Sequence, residues 1–149
     1  MGNALQHFLL VSLFLQEGPQ SRHHGPVHRA HALVVQAALT VKALYFRRVA
    51  EQLRTTPHKQ LYCVLGFVRD KDLAHILPLL PRDAHYIFTQ ARTERALPAA
   101  ELTAKAAIYG LQGESAPTVT EAVARARELA APQDMIFIGG STYVVAEAL

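Results

Sequence analysis

One stretch decides the fold class: Leu61-Tyr62-Cys63-Val64-Leu65-Gly66-Phe67-Val68. It is short, continuously apolar and rich in residues that favour β-strands, as expected for a strand buried on both faces of a parallel sheet. The charged residues that follow are typical of a loop, in which Asp70 or Asp72 could cap a helix over residues 73–80. The stretch therefore predicts a strand, a loop and a helix, which is the repeating unit of an α/β protein.

The same alternation continues to the end of the chain. The pattern predicts further strands over residues 85–89, 114–116 and 135–138, and further helices over residues 98–109, 119–130 and 143–149. Thr118 and Glu121 have the spacing of a capping box at the start of one of these helices. Alternating strands and helices predict a Rossmann-like, mostly parallel sheet with helices on both faces.

The composition separates the first third of the chain from the rest. The 149 residues include 15 Lys and Arg and 12 Asp and Glu, for a net charge of +3. Residues 1–49 hold five basic groups and one acid, whereas residues 50–149 hold ten basic and eleven acidic groups. A nucleic-acid-binding protein should spread its cations over the folded surface. Here the cations of residues 50–149 are interleaved with acids. We therefore expect no nucleic-acid partner.

The first 45 residues do not continue the α/β pattern. The longest apolar run, residues 8–15, is too short for a membrane span and lacks the preceding cations and following cleavage site of a signal peptide. We therefore expect no membrane partner and a cytoplasmic protein. Residues 21–31 contain four histidines, but Gly25-Pro26 would break the helix that a zinc site needs here, which favours a surface segment. Residues 30–54 have the apolar period of a helix.

The sequence shows no catalytic machinery of its own. The single cysteine, Cys63, cannot form an internal disulfide, and its apolar surroundings predict an inert core thiol. The chain contains neither a G-x-x-x-x-G-K-[ST] loop nor a G-x-G-x-x-G fingerprint. We therefore assign no catalytic residue and no metal ligand.

Ligands of parallel sheets bind beyond the carboxyl ends of the strands. This rule selects three loops as candidate binding elements, over residues 66–72, 89–95 and 139–142. The Gly-Gly pair of the third loop allows a ligand to approach the backbone, and free N–H groups at the next helix favour a carboxylate or a phosphate. The alternative for this pair is a tight turn between strand and helix.

The other two loops carry cations. Arg92 and Arg95 can hold a carboxylate or a phosphate through two parallel hydrogen bonds, and Lys71 is a point charge suited to phosphate. Each also has a purely structural interpretation: Arg92 and Arg95 as solvated loop arginines, and Lys71 as part of a helix cap. Their expected position at one edge of the sheet favours a binding function.

From about Arg48 to Leu149 the chain resembles the C-terminal domain of folylpolyglutamate synthase/dihydrofolate synthase, in the Mur ligase family. The resemblance rests on four stretches in family order and spacing: Val49-Ala50-Glu51-Gln52-Leu53, Gly66-Phe67-Val68-Arg69-Asp70-Lys71-Asp72, Phe88-Thr89-Gln90-Ala91 with Arg95-Ala96-Leu97-Pro98-Ala99-Ala100-Glu101-Leu102, and Phe137-Ile138-Gly139-Gly140-Ser141-Thr142-Tyr143-Val144-Val145-Ala146-Glu147-Ala148-Leu149.

The resemblance implies an ATP-dependent ligase that couples glutamate to folate through an acyl phosphate, with Mg²⁺ bridging phosphates. By position it implies that Asp70 and Lys71 face the site between domains, that Arg95 lies near the nucleotide or glutamate, and that Ser141 and Thr142 lie near the glutamate. In the family, a central domain supplies the phosphate-binding loop.

Two departures from the family pattern shape the domain prediction. The family motif Asp-x-x-His-Asn, expected shortly before Phe46, is absent, and the ATP-binding domain is absent too. We predict a non-homologous, partly flexible leader over residues 1–45, from a shifted reading frame or a mis-assigned gene start, and an α/β domain over residues 46–149. Alone, the chain is then expected to be inactive and to bind ATP and Mg²⁺ only weakly. The alternatives are a non-catalytic module that binds a carboxylate or nucleotide, and a purely structural domain.

Overall fold

The computed structural model describes residues 42–149. The signal-like apolar run, the histidine-rich segment and the first part of the helix predicted over residues 30–54 lie outside these residues. The elements, in chain order, are α1 (Lys42–Thr55), β1 (Leu61–Leu65), α2 (Leu73–Ile76) with a 3-10 turn (Leu77–Leu79), β2 (His85–Phe88), α3 (Ala99–Ile108), β3 (Gly113–Ser115), α4 (Val119–Leu129), β4 (Met135–Gly139) and α5 (Thr142–Ala148).

The four strands form one parallel sheet in the order β3-β2-β1-β4. At its centre, Cys63 on β1 lies opposite Tyr86 on β2 and Phe137 on β4. The predicted α/β class with a parallel sheet is confirmed. Because all four strands point the same way, their carboxyl ends meet at one edge of the sheet.

Two apolar layers cover the two faces of the sheet. Alternate residues of a strand point to opposite faces, so Cys63 and Tyr86 belong to one core cluster while Val64 and Ile87 belong to the other. The first cluster packs against α1, α2 and α3, and the second packs against α4 and α5. The expected helices on both faces are therefore confirmed.

The region after β1 differs from the prediction. The strand ends at Leu65, and the helix expected over residues 73–80 is a four-residue α-helix followed by a 3-10 turn. Pro78 lies in the second half of the predicted helix, where it has no N–H to donate to the α-helical ladder. Asp72 occupies the N-cap position, but its carboxylate bonds to Nδ1 of His75 at 2.6 Å instead of capping the helix.

The other helix boundaries follow the sequence signals. Thr118 accepts a hydrogen bond from the backbone N–H of Glu121 at 3.1 Å, as the capping-box spacing predicts. Gly110 follows the end of α3 with a φ of 84°, a left-handed conformation that glycine adopts without strain. These local signals confirm the predicted start of α4 and the predicted end of α3.

A cluster of charged side chains stabilises the β3 edge of the sheet. Glu114 accepts hydrogen bonds from Nε2 of His85 and from Nε of Arg125, both at 3.1 Å. The hydrogen bond from His85 holds the pKa of Glu114 below its ordinary value of 4.5; partial burial opposes this effect and Arg125 adds to it. The cluster therefore stabilises the fold only while Glu114 is ionised.

We expect Glu114→Gln to lower the free energy of unfolding at neutral pH by about 0.2–1 kcal/mol, the range of solvent-exposed ion pairs. A carboxyl whose folded-state pKa is depressed stabilises above its unfolded-state pKa, and that stability is lost as the pH falls through the folded-state value. The difference from the parent chain should therefore begin to shrink near pH 4.5 and disappear once the pH is below the lowered folded-state pKa of Glu114. Urea unfolding across this pH range measures it, and Glu94→Gln, at an exposed carboxylate with no ion pair among the described residues, is the control. An equal effect of both variants would contradict this role of the cluster.

Candidate functional site

The structure places the three candidate loops side by side, because β2, β1 and β4 are neighbours in the sheet. We call their common side the carboxyl edge; it comprises residues 66–72, 89–97 and 139–142. The loops leave adjacent parallel strands and therefore lie close together without any special arrangement of side chains.

The backbone at the carboxyl edge is packed too closely for side chains at two positions. Gly140 has a φ of 104°, and a Cβ atom there would lie 2.3 Å from the carbonyl oxygen of Gly66. A Cβ atom at Gly66 would lie 2.7 Å from Cγ2 of Val144 and 2.8 Å from the carbonyl oxygen of Thr89. Gly140, the residue after β4, is thus required by the turn and by its contact with Gly66 in the β1 loop.

Thr89 lies inside this packed edge, one residue after β2. It is fully buried, and its hydroxyl has no hydrogen-bond partner among the residues that the structure describes. A buried unsatisfied hydroxyl costs about 1–3 kcal/mol. Burial also keeps this donor away from any ligand at the surface of the edge, so we exclude Thr89 from the candidate site.

The loops after β1 and β2 are joined by a short antiparallel ladder. Val68 and Ala96 form an isolated antiparallel bridge. The N–H of Arg69 donates to the carbonyl of Arg95 at 2.7 Å, and the N–H of Leu97 donates to the carbonyl of Phe67 at 2.9 Å. The ladder fixes the side chains of the two loops relative to each other.

The ladder brings two predicted site residues together. Nη2 of Arg95 lies 3.6 Å from Oδ2 of Asp70, and both side chains are more than half exposed. An ion pair this exposed contributes little stability, but it directs the Arg95 guanidinium toward the loop after β1. Arg92 differs, since its guanidinium makes no ion pair with a described residue and its backbone N–H donates to Glu147 at 2.8 Å.

Ser141 and Thr142 lie at the start of α5. Ser141 is buried, and its hydroxyl oxygen accepts a hydrogen bond from the N–H of Tyr143 at 3.0 Å. The next two N–H groups, of Val144 and Val145, donate to the carbonyl of Ser141. These three N–H groups of the helix start are therefore bonded within the chain, whereas the exposed Thr142 hydroxyl makes no hydrogen bond within residues 42–149.

Lys71 lines a groove on the α1-α2-α3 face of the sheet. The groove lies between the start of α2 and the length of α3, and its cavity has a volume of about 370 Å³. Besides Lys71 it is lined by charged residues and by apolar or aromatic ones: Arg69, Asp72, Glu101 and Lys105, and Leu73, Ala74, Leu97, Ile108 and Tyr109. We call it the α2–α3 groove.

No sequence pattern singles out Arg69, Lys105 or Tyr109. Arg69 was part of a candidate loop but received no role of its own. Glu101, Lys105 and Ile108 follow one another at steps of four and three along α3, so one face of the helix presents them together. That spacing is visible in the sequence, but the position of α2 opposite it is not.

Residues 29–142 match the family described as Mur ligase, glutamate ligase domain, which is more than half of the 149 residues. The chain belongs to this family. The match to the glutamate ligase domain begins at residue 29, ahead of the domain boundary predicted at residue 46. No curated protein matches the chain in sequence.

Solved structures share the fold of this glutamate ligase domain. Folylpolyglutamate synthase of Mycobacterium tuberculosis complexed with ADP and AMPPCP is 26% identical, with a TM-score of 0.63, and the match covers 71% of this chain and 26% of that one. Bifunctional folylpolyglutamate synthase/dihydrofolate synthase with Mn, AMPPNP and L-glutamate bound is 23% identical, with a TM-score of 0.62, covering 70% and 25%. FolC of E. coli with DHPP and ADP is 18% identical, with a TM-score of 0.57, covering 70% and 25%.

The glutamate ligase domain thus spans about a quarter of the length of the solved structures that it matches. Its fold matches the C-terminal domain of folylpolyglutamate synthase-type ligases, as the resemblance in sequence implies. Within residues 42–149, no helix is both long enough and apolar enough to cross a membrane.

The buried thiol of Cys63 and the buried phenol of Tyr86 lie within the strands of the sheet, away from the carboxyl edge. Burial raises the pKa of the Cys63 thiol, against the opposing effect of its hydrogen bond with Tyr86. Burial also raises the pKa of Tyr86, whose hydroxyl donates to the carbonyl of Pro81. A thiol whose pKa is raised this way is a poor nucleophile, which agrees with the inert core thiol expected from the sequence.

Proposed function

We propose that this chain acts as the C-terminal domain of an ATP-dependent ligase that adds glutamate to folate, of the folylpolyglutamate/dihydrofolate synthase type. The proposal rests chiefly on one observation: a chain of this family presents three loops with cations and hydroxyls at a single edge of its sheet. Solved structures with the same fold carry ADP, ATP analogues, Mn and L-glutamate. The proposed enzyme would belong to cytoplasmic folate and one-carbon metabolism.

Five residues carry the proposed contacts at the carboxyl edge. Lys71 supplies a point charge for a phosphate or carboxylate, and Arg95, directed by Asp70, supplies a planar donor near the nucleotide or glutamate. The hydroxyls of Ser141 and Thr142 donate hydrogen bonds to the glutamate. Ser141 retains this ability because it acts as an acceptor, not a donor, in capping α5.

The ligation requires more than this domain. The folate carboxylate accepts the γ-phosphoryl group of ATP and ADP leaves; the amine of glutamate then attacks the acyl phosphate, forming the amide with loss of inorganic phosphate and a proton. Fixed positive charge around the phosphate oxygens is the main catalytic contribution. The chain has no P-loop sequence. In residues 42–149, no three His, Cys, Asp or Glu side chains are grouped to hold a metal ion. We therefore place Mg²⁺ and the phosphate-binding loop on a separate ATP-binding domain, and propose that this chain alone is inactive.

Calorimetric titration of the full chain with L-glutamate, ATP and a folate tests the proposal. We expect measurable binding of glutamate or ATP, weakened about tenfold by Lys71→Ala, because a charge-assisted contact is lost. Lys59→Ala is the matched control, since Lys59 is an exposed lysine just before β1, at the opposite edge of the sheet.

Two outcomes would contradict parts of this proposal. ATP-dependent ligation of glutamate to folate by the chain alone would show that the inactivity is wrong. Absence of binding for all three ligands would favour a purely structural domain. Binding without any effect on ligation, when the chain is combined with a separate ATP-binding domain, would favour the non-catalytic binding module.

A further inference from the structure

We propose that Glu147, on α5, is a positioning residue that holds the loop after β2, and with it Arg95, in the geometry that binds a ligand at the carboxyl edge. The inference rests on the proposed function, which gives Arg95 a contact with the nucleotide or glutamate. Glu147 lies outside the three candidate loops and acts through the backbone of Arg92.

α5 crosses all three loops of the carboxyl edge. The helix follows Ser141, in the loop after β4. Further along, Cγ2 of Val144 would lie 2.7 Å from a Cβ atom added at Gly66, so the helix passes close to the loop after β1. In its last turn, Oε2 of Glu147 accepts a hydrogen bond from the backbone N–H of Arg92 at 2.8 Å. The helix therefore connects the loop after β4 to the loop after β2.

The length of α5 fits this span. From Ser141 to Glu147 the helix rises about 9 Å, at about 1.5 Å per residue. β1 lies between β4 and β2 in the sheet, so β4 and β2 are two strand spacings apart, about 9–10 Å. A carboxylate one turn earlier in α5 would lie beside the loop after β1. Glu147 is therefore at the position along the helix from which a side chain can reach the loop after β2.

The loop after β2 has separate attachments at its two ends and in its middle. At its start, Oε1 of Gln90 accepts a hydrogen bond from the first N–H of α3 at 2.8 Å. At its end, the ladder joins it to the loop after β1. Glu147 holds the middle, at Arg92. The next residues form a tight turn, in which Oγ1 of Thr93 accepts from the N–H of Arg95 at 3.3 Å. The bond to Glu147 therefore fixes the residue from which the turn carrying Arg95 begins.

The negative charge of Glu147 would otherwise be unfavourable at this place. A carboxylate close to the loop of Arg92 and Arg95 weakens the attraction of that loop for a phosphate or carboxylate. Glu147 is exposed and forms no ion pair with a described residue. Its contact with the loop is the bond to a backbone donor, and a charged acceptor makes such a bond stronger than a neutral one does.

The two possible roles of Glu147 predict opposite effects on binding. If its charge alone matters, removal of the carboxylate strengthens the binding of an anion. If it positions the loop, removal of the side chain weakens binding, because the ligand must then also order the loop.

Calorimetric titration of the full chain with L-glutamate and with ATP separates these roles. We expect Glu147→Ala to bind about fivefold more weakly than the parent chain, the effect of one lost hydrogen bond. Glu147→Gln keeps an acceptor oxygen for the N–H of Arg92 and should bind within about twofold of the parent. Glu51→Ala is the control, since it removes an exposed carboxylate from α1 that has no ion pair among the described residues.

Amide hydrogen exchange of the ¹⁵N-labelled chain without ligand reports on the bond itself. The N–H of Arg92 should exchange faster in Glu147→Ala than in the parent chain, and Glu147→Gln should restore most of its protection. Circular dichroism checks that both variants keep the fold.

Two results would overturn the inference while the parent chain still binds its ligand. Equal strengthening of binding by Glu147→Ala and Glu147→Gln would show that Glu147 acts through its charge alone. Unchanged affinity in Glu147→Ala, with faster exchange at Arg92, would show that the bond does not position the loop for binding. A parent chain that binds neither ligand would instead remove the proposed function, and this role of Glu147 with it.

Discussion

We expect Gly140→Ala to lower the free energy of unfolding by about 3 kcal/mol, more than any other single methyl group added at the carboxyl edge. Two costs combine. An alanine at a φ of 104° is strained, and its Cβ atom would lie 2.3 Å from the carbonyl oxygen of Gly66. Since that oxygen belongs to the backbone, the β4–α5 turn or the β1 loop must move. Denaturant unfolding followed by circular dichroism measures the loss.

Gly110→Ala separates the two costs. Gly110 also has a positive φ, of 84°, but a Cβ atom there would lie 3.4 Å from the flexible side chain of Arg82. Only the conformational cost of about 1–2 kcal/mol should then appear. If the two variants are equally stable, the close approach of the β1 and β4 loops does not constrain the edge.

Asp134→Ala should lower the free energy of unfolding by about 2–3 kcal/mol, since two charge-assisted hydrogen bonds to backbone donors are lost. Asp134 is 6% exposed and lies just before β4. Its carboxylate accepts from the N–H of Gln60 at 3.0 Å and from the N–H of Ala131 at 2.7 Å. It therefore ties the start of β1 to the start of β4, at the edge opposite the candidate site.

Asp134→Asn is the matched variant, because it keeps the shape and one acceptor oxygen. We expect about half the loss of Asp134→Ala, measured by the same unfolding experiment. A loss near zero for Asp134→Asn, beside a full loss for Asp134→Ala, would mean that packing, and not hydrogen bonding, is what Asp134 contributes.

Local chemistry explains why much of the fold was predictable. The apolar run before Gly66 predicts a buried strand, the Thr118–Glu121 spacing predicts the start of α4, and Gly110 predicts the end of α3. Each signal depends on residues close in sequence. The error over residues 73–80 is also local, since Pro78 lies within the predicted helix and ends its α-helical part early.

The candidate site was less predictable because it depends on contacts between distant segments. The rule for parallel sheets selected the three loops, but no sequence pattern indicates that the loops after β1 and β2 form a ladder, or that Arg95 pairs with Asp70. The α2–α3 groove likewise needs α3 to lie beside the start of α2. The roles of Asp70, Lys71, Arg95, Ser141 and Thr142 stay predictions.

The ladder joins the loops after β1 and β2, so the two loops become ordered or disordered together. Separating one loop breaks hydrogen bonds of both, so the two loops have little freedom to fluctuate independently. A contact that restrains either loop therefore lowers the conformational freedom of both, and part of its entropic cost falls on the other loop.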